Sequence, residues 1–336
     1  MRRWLWGTAI AIFLALIGGF LIGPSLFPQN SPSSSPNPSP TLTREGETGK
    51  IKVVTSTQVW ADITMLLAGD WVEVTAIVPE NQDPHSYQAT ARDQLLISEA
   101  ELVIANGGGY DDFLDQLVAA TDKDLVFLKL VEGEHSHTGE QTHTQTAEDS
   151  GHSHDSSNEH IWFDFEKTLD AAEHITEALV EIRPEAFQSM TAGFDFFSGE
   201  LATLEVRLEA LRERALGLGF IAPEGVANLM LANAGFENMT PEELADAIEE
   251  DREVPLAALT EAKLLLENRV AAILVVNLST GDPVTDQLIA AAEAGNRPII
   301  KVSETALATA TALEITELDY LDWMNLVIDQ LQEAIY

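Results

Sequence analysis

From position 51 onward, short apolar runs rich in β-branched residues alternate with amphipathic stretches at helical spacing. That alternation predicts parallel strands joined by crossover helices. The runs at 51–54, 72–78, 102–105 and 125–128 read as strands, and 60–68, 91–98 and 111–119 as the helices between them. Helical spacing then extends over 165–181 and again over 184–216, where Leu201, Leu204, Leu208 and Leu211 mark an apolar face. Arg183-Pro184 separates the two stretches, because proline disfavours helix in the residue before it. A second series follows, with strands at 219–222, 271–276 and 298–302 and helices at 241–250, 256–267, 285–294 and 320–335. The expected fold class is therefore α/β, with two lobes, each a mostly parallel sheet flanked by helices, joined by one long backbone helix. Short loops between strand ends and helices place the carboxyl ends of the strands along one rim, where open α/β sheets bind ligands.

The pattern also sets expected boundaries. Arg2 and Arg3 precede an uncharged apolar stretch at 4–22, an export signal long enough to remain as a membrane anchor. Residues 1–28 are thus expected to be a signal peptide or anchor, whether cleaved or not, leaving the rest on the extracytoplasmic side. The Pro/Ser-rich segment 29–49 reads as an extended tether. Residues 50–181 form the expected N-terminal lobe, 182–217 the linking helix and 218–336 the C-terminal lobe. Within the first lobe, 132–159 loses regular patterning and reads as a long polar loop.

Composition narrows the chemistry. The 336 residues contain no cysteine, which excludes disulfides, thiolate metal sites and cysteine nucleophiles. With 55 acidic and 18 basic residues the formal charge is −37, so nucleic acid is not an expected partner. An acidic surface instead concentrates cations, although solubility of the whole surface accounts for most of such a surplus.

Histidine is the informative residue. His135, His137, His143, His152, His154 and His160 fall in or at the end of the polar loop, among Gly, Ser, Thr and acidic residues. Neutral imidazole is a common ligand for zinc and related metals, so the loop reads as a weak collector of such ions. His85 stands in Asn81-Gln82-Asp83-Pro84-His85-Ser86-Tyr87, just after a strand, where Pro84 fixes the backbone and Asp83 can cap the turn. His160 stands where the polar loop returns to the apolar Ile161-Trp162-Phe163. His174 is expected to be an ordinary exposed helical residue. The glycine run Asn106-Gly107-Gly108-Gly109-Tyr110 lacks the Lys and Ser/Thr of a phosphate cradle and reads as a tight strand-to-helix turn. Trp60, Trp71, Trp162 and Trp323 are expected core or lobe-interface anchors.

Taken together, VVTSTQVWADITMLLAGDWVEVTAIV, NQDPHSY, LVIANGGGYDDFLDQL, the His-rich insertion, NEHIWFDFEKTLDAA, VVNLSTGDPVTDQL and IIKVSET resemble the solute-binding proteins of zinc and manganese ABC transporters, the ZnuA/TroA-like cluster A-I family. The resemblance covers nearly everything from Ile51 to the C-terminus. It implies a buried metal between two lobes, with His85 and His160 as ligands. Glu224 stands where a histidine opening the first helix of the second lobe is usual, Glu304 matches the family's carboxylate ligand, and Asn277 replaces a common glutamate.

The implied function is an extracytoplasmic solute-binding component of a metal ABC importer, binding Zn²⁺ as its cargo between the two lobes, with Mn²⁺ the alternative, and passing it to a permease. A monomer that is not an enzyme is expected. Two other readings stay open: a metal-sequestering or adhesion protein that never docks on a transporter, and a metal-dependent hydrolase. The absence of HExxH weighs against the hydrolase.

Overall fold

The computed structural model describes residues 49–336 apart from 80, 81, 83, 85, 86, 132–157, 251, 279, 280, 282, 314, 316 and 317. The expected signal or anchor, the Pro/Ser tether, His85 and the five other loop histidines lie outside the described residues. No described helix is long and apolar enough to cross a membrane.

The chain opens with β1 (Ile51–Thr55), α1 (Gln58–Ala68), β2 (Val72–Ala76), α2 (Ala91–Glu99), β3 (Leu102–Gly107), α3 (Phe113–Ala119) and β4 (Val126–Val131). These strands form a four-stranded parallel sheet in the order β2-β1-β3-β4. Then come α4 (Phe165–Ile182) and the 29-residue α5 (Phe187–Ala215). The remainder comprises β5 (Gly219–Ile221), α6 (Asn228–Asn233), β6 (Glu237–Asn238), α7 (Glu242–Glu249), α8 (Leu256–Glu267), β7 (Ala271–Asn277), α9 (Pro283–Gly295), β8 (Ile299–Val302), α10 (Ala306–Leu313) and α11 (Tyr320–Ile335). Its four strands make a second parallel sheet in the order β6-β5-β7-β8. The α/β class with two helix-flanked parallel sheets and one long helix is thus the architecture of the protein.

Both sheets use the same ordering, in which the chain leaves its first strand to one side and later returns on the other. The crevice that opens at the carboxyl end of such a reversal is where α/β sheets bind ligands. In the first sheet it falls between β1 and β3, ending at Thr55 and Gly107; in the second, between β5 and β7, ending at Ile221 and Asn277.

At about 1.5 Å per residue, α5 is roughly 44 Å long and packs against α1, α4 and α11. Leu201, Leu204, Leu208 and Leu211 are all buried, as their spacing predicts. Gly193 lets α5 close on α1: a Cβ there would stand 2.1 Å from the Leu67 carbonyl oxygen. Where the sequence predicts one helix from 184, residues Pro184–Ala186 form a 3-10 turn and the α-helix starts at Phe187.

The sequence pattern missed α6, β6 and α10. Two are too short to show a period, at six and two residues. The third, ALATATAL, has no polar face to set against an apolar one. Trp60, Trp162 and Trp323 are fully buried, Trp71 is partly buried against the core, and His174 is exposed on α4.

Candidate metal centre

The turn after β3 is built by glycine and one carboxylate. Gly107, Gly108 and Gly109 all take positive φ, at 81°, 67° and 98°. A Cβ on Gly107 would also stand 2.1 Å from the Val131 carbonyl oxygen. Buried Asp111 accepts hydrogen bonds from the backbone N–H groups of Asn106 (2.6 Å) and Gly107 (2.9 Å), closing the turn. Burial pushes the Asp111 carboxyl up, against the opposing pull of Ser56 and the two backbone donors.

This turn delivers Tyr110, only 2 % exposed, to the crevice. Its ring lies 5.8 Å from that of His160 and 5.5 Å from that of Trp162, and its hydroxyl donates to Glu304 Oε2 at 2.8 Å. Burial, reinforced by the Glu304 charge, holds the phenol well above its ordinary pKa, so Tyr110 stays a neutral donor.

His160 is 8 % exposed and precedes the buried 3-10 turn Ile161–Phe163. Its backbone N–H donates to Asn158 Oδ1 at 2.9 Å, while Asn158 Nδ2 donates to the Gly225 carbonyl at 2.8 Å. Both partners have fixed polarity, so the Asn158 amide has one possible orientation. Its Oδ1 also faces His160 Nδ1 at 3.1 Å, and Glu159 Oε1 stands 3.8 Å from the same nitrogen. The amide oxygen of Asn158 at Nδ1 favours the tautomer with the proton there and the lone pair on Nε2, the form a metal ligand requires. Asn106 braces the segment from below, accepting from Trp60 Nε1 (3.1 Å) and donating to the Glu159 carbonyl (3.1 Å).

The second sheet supplies the carboxylates. Glu224 lies in the bend between β5 and α6, four residues before the helix begins, rather than at the helix start. Glu304 follows β8. Asn277, 5 % exposed at the end of β7, donates through one amide nitrogen to Glu224 Oε2 at 2.6 Å and Glu304 Oε1 at 3.2 Å. Glu224 and Glu304 are therefore brought together. His160 reaches the pair through the Tyr110 ring, and among the described residues no three His, Asp or Glu side chains converge in a metal-holding cluster.

His85 lies outside the described residues; of the positions near it, Pro84 and Tyr87 are described. Pro84 is buried, and Tyr87 packs on Phe113 at 4.9 Å and donates to Asp93 Oδ2 at 2.9 Å. Burial and the Asp93 carboxylate push the Tyr87 hydroxyl up to about 12. Sequence reasoning did not single out Asn158 or Tyr110. The available signals were an amide two residues before His160 and an aromatic closing a glycine run.

Comparison with known proteins agrees with this architecture. The manganese-bound periplasmic metal-binding protein from Candidatus Liberibacter asiaticus superimposes with a TM-score of 0.63 at 19% identity, covering 85% of this chain and 100% of that one. The structure described as the crystal structure of ZnuA gives 0.63 at 16% identity, covering 85% and 98%. Among curated proteins, the metal ABC transporter substrate-binding lipoprotein FimA of Streptococcus parasanguinis is 28% identical over 214 residues, 62% of this chain and 59% of FimA. The manganese ABC transporter substrate-binding lipoprotein PsaA of Streptococcus pneumoniae is 27% identical over 222 residues, 62% and 59%. The chain thus spans about three fifths of the length of these curated relatives. The family described as zinc-uptake complex component A, periplasmic, matches residues 53–334, and the chain belongs to that family.

Proposed function

We propose that the protein is the extracytoplasmic solute-binding component of a metal ABC importer, carrying a first-row dication between its two sheets to a membrane permease. His85, His160, Glu224 and Glu304 are the proposed ligands. The observation that carries this reading is the meeting of Glu224 and Glu304 on the Asn277 amide, with Tyr110 bonded to Glu304 and its ring 5.8 Å from that of His160. Two carboxylates and neutral imidazoles leave a charge of −2, which a dication cancels. On entry the metal takes carboxylate oxygens now bonded to Asn277 and Tyr110, so their N–H and O–H donors act as placeholders.

The proposed cargo is zinc, with manganese the alternative. Sites of nitrogen and oxygen donors generally bind Zn²⁺ more tightly than Mn²⁺, whereas carboxylates narrow the gap and availability decides occupancy. PsaA and the manganese-binding lipoprotein MntA of Halalkalibacterium halodurans are named for manganese, and FimA for metal without saying which. The proposed N-terminal anchor would keep the carrier at the outer face of the membrane.

The test is titration calorimetry of the metal-stripped protein with zinc and manganese, alone and in competition. His160→Ala and Glu304→Ala should each weaken binding at least tenfold; unchanged tight binding in the double variant refutes the ligand assignment.

A further inference from the structure

We infer that Asn158 is the positioning residue of the metal centre, setting at once the tautomer of His160 and the place of the bend that carries Glu224. The inference rests on the ligand reading above and assigns a role to a residue that would not itself touch the metal.

Three of the four hydrogen-bonding positions of the Asn158 amide are accounted for by chemistry that cannot be exchanged. Oδ1 accepts from the His160 backbone N–H at 2.9 Å, which fixes it as the oxygen. The same oxygen lies 3.1 Å from His160 Nδ1, so the ring must present a proton there. Nδ2 donates to the Gly225 carbonyl at 2.8 Å, 67 positions along the chain and one residue beyond Glu224. One side chain therefore ties an imidazole from the segment after the polar loop to a carboxylate-bearing bend of the second sheet.

Gly225 fits the same account. It does not take the left-handed backbone for which glycine is usually retained. A Cβ there would stand 3.2 Å from Asn158 Nδ2, 3.2 Å from Glu249 Oε1 and 3.5 Å from Asn228 Nδ2. Glycine makes room for the amide to reach the carbonyl. Residues that orient a metal-ligating histidine through its other nitrogen typically change metal affinity tenfold to a hundredfold when removed. Asn158 should fall in that range, because an unrestrained neutral imidazole in water prefers its proton on Nε2, where it blocks the metal.

The test uses the full chain in detergent, metal-stripped, with the pH raised until the His160 signals stop changing. A long-range proton–nitrogen correlation spectrum reads the tautomer of His160, its signals identified by their loss in His160→Gln. The wild type should show the proton on Nδ1. Asn158→Ala should shift the population toward Nε2–H and weaken zinc binding tenfold to a hundredfold. Asn158→Asp keeps an acceptor for the ring but loses the donor to Gly225, so it should keep the tautomer and lose less affinity than Asn158→Ala. Gly225→Ala should weaken binding with the tautomer retained.

A wild-type ring protonated on Nε2 overturns the inference. So does an Asn158→Ala protein with the wild-type tautomer and affinity. A wild type that takes up neither zinc nor manganese overturns the importer reading instead, and the spectrum, which needs no metal, tells the two failures apart.

Discussion

Tyr110, at the end of the glycine turn after β3, donates its hydroxyl to Glu304, which follows β8, at 2.8 Å across 194 positions of sequence. That bond joins the carboxyl-end crevices of the two sheets directly. With Asn277 on the other oxygen of the same carboxylate, Glu304 is held in place by one donor from each sheet.

Tyr110→Phe should therefore loosen the metal-free protein more than the metal-loaded one. Loss of a hydrogen bond to a charged, partly buried acceptor costs roughly 1.5–3 kcal/mol. Urea unfolding in chelator should show a loss of that order, and unfolding at saturating zinc a smaller one, since a bound dication replaces the lost donor. Equal losses in both conditions would mean that Tyr110 is not a placeholder.

Asn277→Asp replaces the amide donor by a third carboxylate beside Glu224 and Glu304. Without metal, like charges at hydrogen-bonding distance repel, so the metal-free form should lose stability. With metal, the added hard oxygen should favour manganese over zinc relative to the wild type. Competition calorimetry that gives an unchanged zinc-to-manganese ratio would show that position 277 does not tune selectivity.

Much of the fold is legible in the sequence because its signals are local. The apolar runs give every strand of the two sheets except the two-residue β6, and Leu201, Leu204, Leu208 and Leu211 give the buried face of α5. The start of α5 is less so, since a proline at 184 is equally compatible with a 3-10 turn. Of the candidate site, His160 stands out by where it sits, between a polar loop and a buried aromatic turn. Glu224 and Glu304 are two of many acids in a chain with 55 acidic residues, and only resemblance separates them. Asn158 and Tyr110 were harder still, because their roles depend on partners 67 and 194 positions away and no periodicity carries such information.

Gly107→Ala should be strongly destabilising for two reasons that act together. The residue takes φ 81°, which costs an L side chain roughly 1–2 kcal/mol. The new Cβ would also collide with the Val131 carbonyl oxygen, which is backbone and cannot swing away. Separating β3 from β4 there would displace Tyr110, so thermal unfolding should fall and metal binding should weaken together. Gly109→Ala makes the control: it takes φ 98° but meets nothing within 4 Å, so it should show the backbone cost alone.

Asp62 gives the clearest pH signature away from the site. It lies on α1, accepts a hydrogen bond from Gln58 at 2.7 Å, and is pushed from an ordinary value of 3.8 up to about 6, chiefly by burial, with the negative charge of Asp319 adding to the effect. A carboxyl whose pKa is raised in the folded state favours folding while both states are protonated. That contribution is complete below about pH 4 and is lost as pH rises through about 6, because the unfolded chain releases its proton first. At 1.36 kcal/mol per unit, the loss at neutral pH is on the order of 3 kcal/mol at most, reduced by whatever solvent at the open side screens. Asp62→Asn keeps the shape and removes the charge, so it should raise the unfolding temperature at pH 8 and leave it nearly unchanged at pH 4. Melting curves for wild type and variant that run parallel between those two pH values would place the carboxyl in a solvated setting and remove the effect.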